Sequence, residues 1–234
     1  MQKMTMMQHF AELRTRVLWV IAVFLLLFCA GWFVAPFLQE FLTVPLVSVW
    51  GDAKMIYTGL TDGLMVQLSM ALLFAIMFTV PFALVQIWAY VAPGLHKQEQ
   101  RFVLPILILS PILFLCGVAF AFYLLLPTVF GFFLELNESA PVPAIVMPAV
   151  RNYMTFAVGM LKVFGLAFQL PLIMILLNRA GVLPRARVIK MRRYAIILIV
   201  VAAAILTPPD VVSQLLLALP MWALFEISVL FMKK

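Results

Sequence analysis

The chain has 234 residues, of which 66% are hydrophobic and only 11% are charged. Soluble domains contain about 45–50% apolar and about 25% charged residues, so a soluble globular fold is excluded. A net charge of +7 would suggest nucleic acid as the partner of a soluble chain. In a membrane protein the same excess of basic residues marks the loops on the cytoplasmic side. The composition therefore predicts an integral membrane protein with no nucleic-acid partner.

Six apolar runs approach or exceed the roughly 20 residues that a membrane-spanning helix needs. They cover residues 17–38, 64–91, 102–126, 153–177, 194–207 and 211–232. The fifth run is short, because a helix over residues 194–207 reaches about 21 Å against a hydrocarbon core of about 30 Å. Either Pro208 and Pro209 lie below the bilayer surface, or the membrane thins beside this run.

These runs predict an all-α membrane protein with six transmembrane helices, forming one polytopic domain over residues 1–234. We expect loops on the outer side over residues 39–63 and 127–152. Prolines inside the runs are expected to kink the helices and to open a concave face. They are Pro81, Pro105, Pro111, Pro171 and Pro220.

The distribution of lysine and arginine predicts the orientation. If the N-terminus is cytoplasmic, thirteen basic residues fall on that side: Lys3, Arg14, Arg16, Lys97, Arg101, Arg179, Arg185, Arg187, Lys190, Arg192, Arg193, Lys233 and Lys234. The opposite side then carries only Lys54 and Arg151. Because short cytoplasmic loops are enriched in basic residues, both termini are predicted to be cytoplasmic.

Catalytic and cofactor motifs are absent from the sequence. It contains no His-Glu-x-x-His, no Gly-x-Ser-x-Gly, no Walker loop and no dinucleotide-binding glycine pattern. Cys29 and Cys116 lie within apolar runs, so we expect packed thiols and neither a disulfide nor a metal site. The sequence thus predicts a protein that is not an enzyme and has no cofactor.

Four polar side chains fall inside the apolar runs: Lys162, Gln169, Gln214 and Glu226. Each is costly to expose to lipid, so each should face protein or water. Lys162 and Gln169 are seven residues apart and should share one face of the fourth span. Two interpretations are open. Lys162 snorkels while Gln169 forms an interhelical hydrogen bond, or both belong to a functional polar surface.

Two carboxylates stand among basic residues in the predicted cytoplasmic loops. Glu12 precedes the first span, next to Arg14 and Arg16, and Glu99 lies between the second and third spans, next to Arg101. Each acid either balances its basic neighbours or accepts a cationic ligand.

Five stretches, taken in order, resemble a known family. The segment His9-Phe10-Ala11-Glu12-Leu13-Arg14-Thr15-Arg16 is similar to the His-Leu-x-Glu-Leu-Arg-x-Arg signature of TatC, the multispanning subunit of the twin-arginine protein translocase. Residues 81–101, 164–171, 207–214 and 218–226 resemble later stretches of the same family. One departure is Gln169, which stands where the family often has glutamate.

The resemblance implies a function and a set of site residues. It implies a receptor for twin-arginine signal peptides in a translocase that exports folded proteins across the cytoplasmic (inner) membrane. The signal peptide would be bound by Glu12, Arg14, Arg16, Tyr90, Leu95, Glu99 and Arg101.

The resemblance also implies partner subunits. Thr207 and Gln214 match positions where single-span TatA- and TatB-type subunits dock in a multi-subunit complex. The alternative function is a small-solute or ion-coupled transporter, in which Lys162, Gln169 and Gln214 would begin a polar path.

Overall fold

The structure is a computed structural model that describes residues 6–51, 54–91, 103–139, 147–179, 181, 183–206 and 211–233. Within these ranges the chain is all-helical, and its only strand-like contact is an isolated parallel bridge between Ile56 and Ala149. The helices are α1 (Met6–Trp50), α2 (Asp62–Val91), α3 (Val103–Phe120), α4 (Leu126–Glu138), α5 (Val150–Ala167), α6 (Leu170–Arg179), α7 (Arg185–Lys190), α8 (Arg192–Leu206) and α9 (Val211–Phe231). A π-helical turn, Ala121–Leu125, joins α3 to α4.

Five helical segments of the described chain are long and apolar enough to cross a membrane. They are Phe10–Trp50, Asp62–Ile87, Ile108–Glu138, Val150–Arg179 and Gln214–Phe231. The fifth predicted run corresponds to α8, whose 15 residues extend about 22 Å and fall short of the roughly 30 Å core. The prediction of an all-helical, multi-pass membrane protein is therefore confirmed.

The two segments predicted as outer loops are more helical than the sequence suggested. α1 has 45 residues and continues through Pro36 and Pro45 to Trp50, and α4 continues to Glu138. The prediction of loops is therefore wrong for residues 39–50 and 127–138. Leu42 and Leu46 lie one helical turn apart and are each 1% exposed, so burial of this apolar face stabilises the helix beyond its prolines.

Small residues set the spacing between the central helices. A Cβ atom on Gly117 of α3 would lie 2.3 Å from the carbonyl oxygen of Phe164 on α5. A Cβ on Gly165 would lie 2.7 Å from the ring of Phe114. Both phenylalanines are at most 1% exposed. The two glycines thus allow α3 and α5 to approach closely, with backbone against backbone at Gly117 and backbone against ring at Gly165, as small residues do in membrane bundles.

Two prolines lie where the regular α-helical pattern is interrupted. Pro171 is the second residue of α6 and has no N–H for the carbonyl of Ala167, so the helix breaks at Phe168 and Gln169. Pro127, in the first turn of α4, likewise follows the π-helical turn. The break between α5 and α6 is what places the side chain of Gln169.

The two cysteines differ from their prediction. Cys29 and Cys116 are free thiols, and both are exposed on the outside of the bundle. The expectation that they pack among other side chains is wrong, because a thiol is apolar enough to face lipid.

Candidate functional site

The candidate site lies where the start of α1 meets the end of α2. One Glu12 oxygen, Oε1, accepts hydrogen bonds from Arg16 Nη2 at 2.6 Å and from Arg16 Nε at 3.0 Å. Glu12 and Arg16 are four residues apart, so the helix itself brings them together. Arg16 Nη1 also donates to Gln86 Oε1 at 2.9 Å, across 70 residues of sequence. Arg16 therefore joins α1 to α2 and fixes the orientation of Glu12.

The second carboxylate oxygen of Glu12, Oε2, differs from Oε1 in its hydrogen bonding. Oε2 is shielded from solvent, and within the described part of the chain it has no hydrogen-bond partner. A buried carboxylate oxygen without a donor is unusual, since most buried polar atoms are paired. The arrangement leaves one strong acceptor available for a cationic ligand.

The other predicted peptide-binding residues divide into two groups. Arg14 is exposed and has no ion pair with any described residue. Of the two arginines beside Glu12 in sequence, only Arg16 therefore positions its carboxylate. Tyr90 is half-buried in the last turn of α2, one turn beyond Gln86. The predicted site residues Leu95, Glu99, Arg101 and Thr207 lie outside the described residues.

Gln169 forms an interhelical hydrogen-bonded pair. Its side chain is 2% exposed, its Nε2 donates to the carbonyl of Ser110 at 2.7 Å, and its Oε1 accepts from Ser110 Oγ at 3.2 Å. Both donor and acceptor of the amide are therefore used. This pairing matches the interhelical hydrogen bond that the sequence left open as one interpretation.

Lys162 lies in a separate polar groove of about 860 Å³. The groove is lined by the turn before α2, one face of α5 and Ile205 of α8, and Gln169 is not among its lining residues. The expected common face of Lys162 and Gln169 is thus interrupted by the break between α5 and α6.

Asp62 also lines this groove. Its Oδ2 accepts hydrogen bonds from Gly59 N at 2.7 Å and from the Thr58 N and Oγ1 at 3.1 and 3.0 Å. Its Oδ1 pairs with Arg151 Nη1 at 3.3 Å, across 89 residues of sequence. Asp62 therefore ties the start of α2 to α5.

The remaining intramembrane polar residues make contacts near α8. Gln214 Nε2 donates to the carbonyl of Val200 at 3.1 Å, which leaves its Oε1 without a partner among the described residues. Glu226 Oε2 accepts from Arg192 Nη2 at 2.7 Å and so links α9 to the beginning of α8.

The family model described as Sec-independent protein translocase protein (TatC) matches residues 8–220, which include nearly all of these features. The chain belongs to the TatC family. Curated TatC proteins are similar over most of the chain. That of Haemophilus influenzae is 37% identical, covering 95% of this chain and 86% of that protein. That of Escherichia coli K12 is 34% identical over the same shares of the two chains.

A solved structure supports the same assignment. The crystal structure titled as the twin-arginine translocase receptor TatC superimposes with a TM-score of 0.87 at 30% identity, covering 95% of this chain and 97% of that chain. The resemblance to the TatC family that the signature around Glu12 indicated is therefore confirmed.

Sequence reasoning missed three partners within this TatC chain. Gln86, Ser110 and Arg151 hold Arg16, Gln169 and Asp62, respectively, from another helix. The sequence could have indicated Gln86, because it is a polar residue in an apolar run one turn before Tyr90. Ser110 had none, since a serine in a membrane helix usually bonds its own backbone.

Proposed function

We propose that this chain is the receptor for twin-arginine signal peptides and the core subunit of a translocase that carries folded proteins across the cytoplasmic membrane. The Glu12 carboxylate carries the proposal, because Arg16 holds one oxygen and the other has no partner among the described residues. TatC relatives named Sec-independent translocase proteins, and a TatC structure titled a twin-arginine receptor, support it. The chain acts by binding and transport and not as an enzyme.

Binding of two adjacent arginines requires two acceptors with negative charge. Carboxylates form short, charge-assisted and often bidentate bonds with guanidinium groups. We assign one arginine of the signal peptide to Glu12 and the other to Glu99. Because Glu12 Oε2 is shielded, the incoming guanidinium must displace neighbouring side chains, and the bond then forms where the local dielectric is low.

The surrounding residues have supporting roles in this proposal. Arg16 positions Glu12. The positive charges of Arg14 and Arg101 repel single cations that bind the site only weakly. Tyr90 and Leu95 offer apolar surface to the peptide beyond its arginines. The i,i+4 contact between Glu12 and Arg16 supports the positioning role of Arg16.

The membrane topology that suits this function has six spans, with both termini in the cytoplasm. It places Glu12 and Glu99 on the side where signal peptides emerge from synthesis. The thirteen-to-two distribution of basic residues supports this orientation. In this topology α8 is the fifth, short span, and thinning of the bilayer beside it would lower the cost of moving cargo.

The edge formed by α8 and α9 is proposed to dock TatA- and TatB-type single-span subunits through Thr207 and Gln214. The amide nitrogen of Gln214 already bonds Val200, so the group left for a partner is the acceptor Oε1. We therefore expect the partner helix to present a hydrogen-bond donor at this depth. Such membrane hydrogen bonds are worth about 0.6–2 kcal/mol, which suits subunits that exchange during transport.

The test measures binding of a twin-arginine signal peptide, with a twin-lysine peptide as ligand control. Crosslinking probes are placed next to Glu99, and affinity is measured for Glu12→Gln, Glu99→Ala and Glu99→Asp. Loss of a charge-assisted hydrogen bond costs about 1.5–3 kcal/mol, so Glu99→Ala should weaken binding by about ten- to a hundredfold. Glu99→Asp should weaken it less, and Glu12→Gln should also reduce affinity.

Glu138→Ala is the matched control, since it removes an exposed carboxylate at the end of α4. It should bind the peptide as the wild-type chain does. Equal affinity for the two peptides, or unchanged affinity in both Glu12 and Glu99 variants, would return these acids to the role of ion-pair partners for neighbouring arginines. A transporter would instead show uptake of small solutes by the chain alone in proteoliposomes.

A further inference from the structure

A second pocket lies at the turn between α6 and α7, and none of its lining residues belongs to the Glu12 cluster. It has a volume of about 530 Å³, and its lining includes Asn178, Gly181, Pro184, Arg185, Ile189 and Lys233. The turn is possible because Gly181 adopts a positive φ of 72°, which favours glycine, and because Pro184 is extended at the start of α7. The pocket is therefore built into the backbone path between two helices.

Asn178 brings the end of the chain to this pocket. Its Oδ1 accepts a hydrogen bond from the backbone N–H of Lys233 at 2.6 Å. Its Nδ2 donates to the carbonyls of Leu183 at 3.0 Å and Lys233 at 3.3 Å. One amide thus holds Lys233 beside the turn that carries Arg185.

Positive charge at this end of the bundle is poorly balanced. The described stretch from Arg179 to Arg193, together with Lys233, carries seven basic side chains. Glu226 is the single acid described among α6 to α9, and it is paired with Arg192 at 2.7 Å. Arg193 lies over the ring of Tyr194, 4.8 Å from its centroid. Among α6 to α9, no described carboxylate is therefore left for the two cations of the pocket, Arg185 and Lys233.

One nitrogen of the Arg185 guanidinium lacks a hydrogen-bond acceptor among the described residues. Its Nε is buried, and no hydrogen-bond acceptor for it is present in the parts of the chain that the structure describes. A buried guanidinium nitrogen is normally paired, and phosphate oxygens match the fork geometry of arginine. The chemistry of the pocket thus favours a phosphate group.

Exposed apolar side chains in and beside the pocket indicate which kind of molecule carries that phosphate. Ile189 lines the pocket and is 41% exposed, and Met191 just beyond it is 48% exposed. Phe231, two residues before Lys233, is 69% exposed. Phe231 ends the apolar helix α9, while Ile189 lies on the short helix α7 and Met191 directly precedes α8. Basic pockets beside the ends of membrane helices bind lipid headgroups.

We propose that this pocket binds the phosphate of an anionic phospholipid, held by Arg185 and Lys233, with its acyl chains against Ile189 and Phe231. The bound lipid would join the turn between α6 and α7 to the end of α9. This site is independent of signal-peptide binding and requires only that the chain resides in a membrane.

The test uses the purified full-length chain, delipidated in detergent and titrated with phosphatidylglycerol. Native mass spectrometry counts bound lipid, while phosphatidylcholine and inorganic phosphate are tested separately as alternative ligands.

Arg185→Gln and Lys233→Gln should each weaken phosphatidylglycerol binding, Arg185→Gln by about tenfold, because a charge-assisted bond is lost. Arg187→Gln is the matched control, since Arg187 lies on the same helix but does not line the pocket. It should change affinity by less than about twofold, as expected of an exposed charge.

Arg185→Lys is a second variant in case Arg185→Gln does not fold. It keeps the charge but removes the Nε donor, so affinity should still fall below that of the Arg187→Gln chain. Equal losses in the Arg185 and Arg187 variants would show diffuse attraction to anionic lipid and overturn the site. Equal binding of phosphatidylcholine would overturn the requirement for a net negative lipid. If inorganic phosphate filled the site with the same affinity as phosphatidylglycerol, the proposal that the ligand is a lipid would be overturned.

Discussion

The pair formed by Gln169 and Ser110 gives the most direct test of how the bundle is held together. Gln169→Leu removes both hydrogen bonds, of 2.7 and 3.2 Å, from a side chain that is 2% exposed. Interhelical hydrogen bonds in membrane proteins average about 0.6 kcal/mol and reach about 1.7, so two bonds sum to about 1–3 kcal/mol. Leucine has a similar volume, so packing adds little to this cost.

Ser110→Ala removes only the longer bond, because the carbonyl of Ser110 remains to accept from Gln169. It should therefore destabilise the chain by about 0.6 kcal/mol. In the Gln169→Leu background the same change should cost almost nothing, since the hydroxyl has already lost its acceptor. The double-mutant cycle should thus return a coupling free energy of about 0.5–1 kcal/mol, the range expected for contacting residues.

The assay is reversible unfolding of the purified chain in mixed micelles, followed by precursor transport and signal-peptide binding. Gln169→Leu should reduce stability and transport but leave peptide binding intact, because the Glu12 cluster contains neither residue of the pair. Gln169→Glu places a carboxyl oxygen opposite the Ser110 carbonyl at 2.7 Å, so it must carry its proton to keep that bond. Additive single-variant effects, or a Gln169→Leu chain as stable as wild type, would refute the reasoning.

Three further predictions concern topology, partner docking and packing. A cysteine at Gln98 should react with impermeant reagents only from the cytoplasmic side, and one at Glu138 only from outside, because the distribution of basic residues predicts that these segments lie on opposite sides. Gln214→Leu should reduce crosslinking to single-span partner subunits while leaving peptide binding unchanged, since the acceptor Oε1 is lost. Gly117→Ala should lower the free energy of unfolding by about 1–3 kcal/mol, because its Cβ would meet the Phe164 carbonyl at 2.3 Å.

Each of these has a control and an opposing result. Labelling of Gln98 from outside would rule out the six-span topology. Equal crosslinking in the Gln214→Leu chain would show that apolar packing fixes the partner contact. Gly131→Ala serves as the packing control, because a Cβ there meets nothing within 4 Å. Similar stability of the Gly117 and Gly131 variants would contradict the close approach of α3 and α5.

The sequence by itself determined the membrane location, the helical class and the family. These properties depend on local composition: long apolar runs can be satisfied in lipid only as helices or closed barrels, and the signature around Glu12 lies within eight residues. The pairing of Glu12 with Arg16 also follows from sequence, since residues four apart share a helix face.

The tertiary structure decided which polar groups are satisfied and which are left open. Gln86, Ser110 and Arg151 meet their partners across 70, 59 and 89 residues of sequence, distances over which helical periodicity carries no information. The extension of α1 to Trp50 likewise depends on burial of Leu42 and Leu46 against other helices, which offsets the local cost of two prolines. Local pattern sets what each segment can form, whereas packing between segments selects the contact that each polar side chain makes.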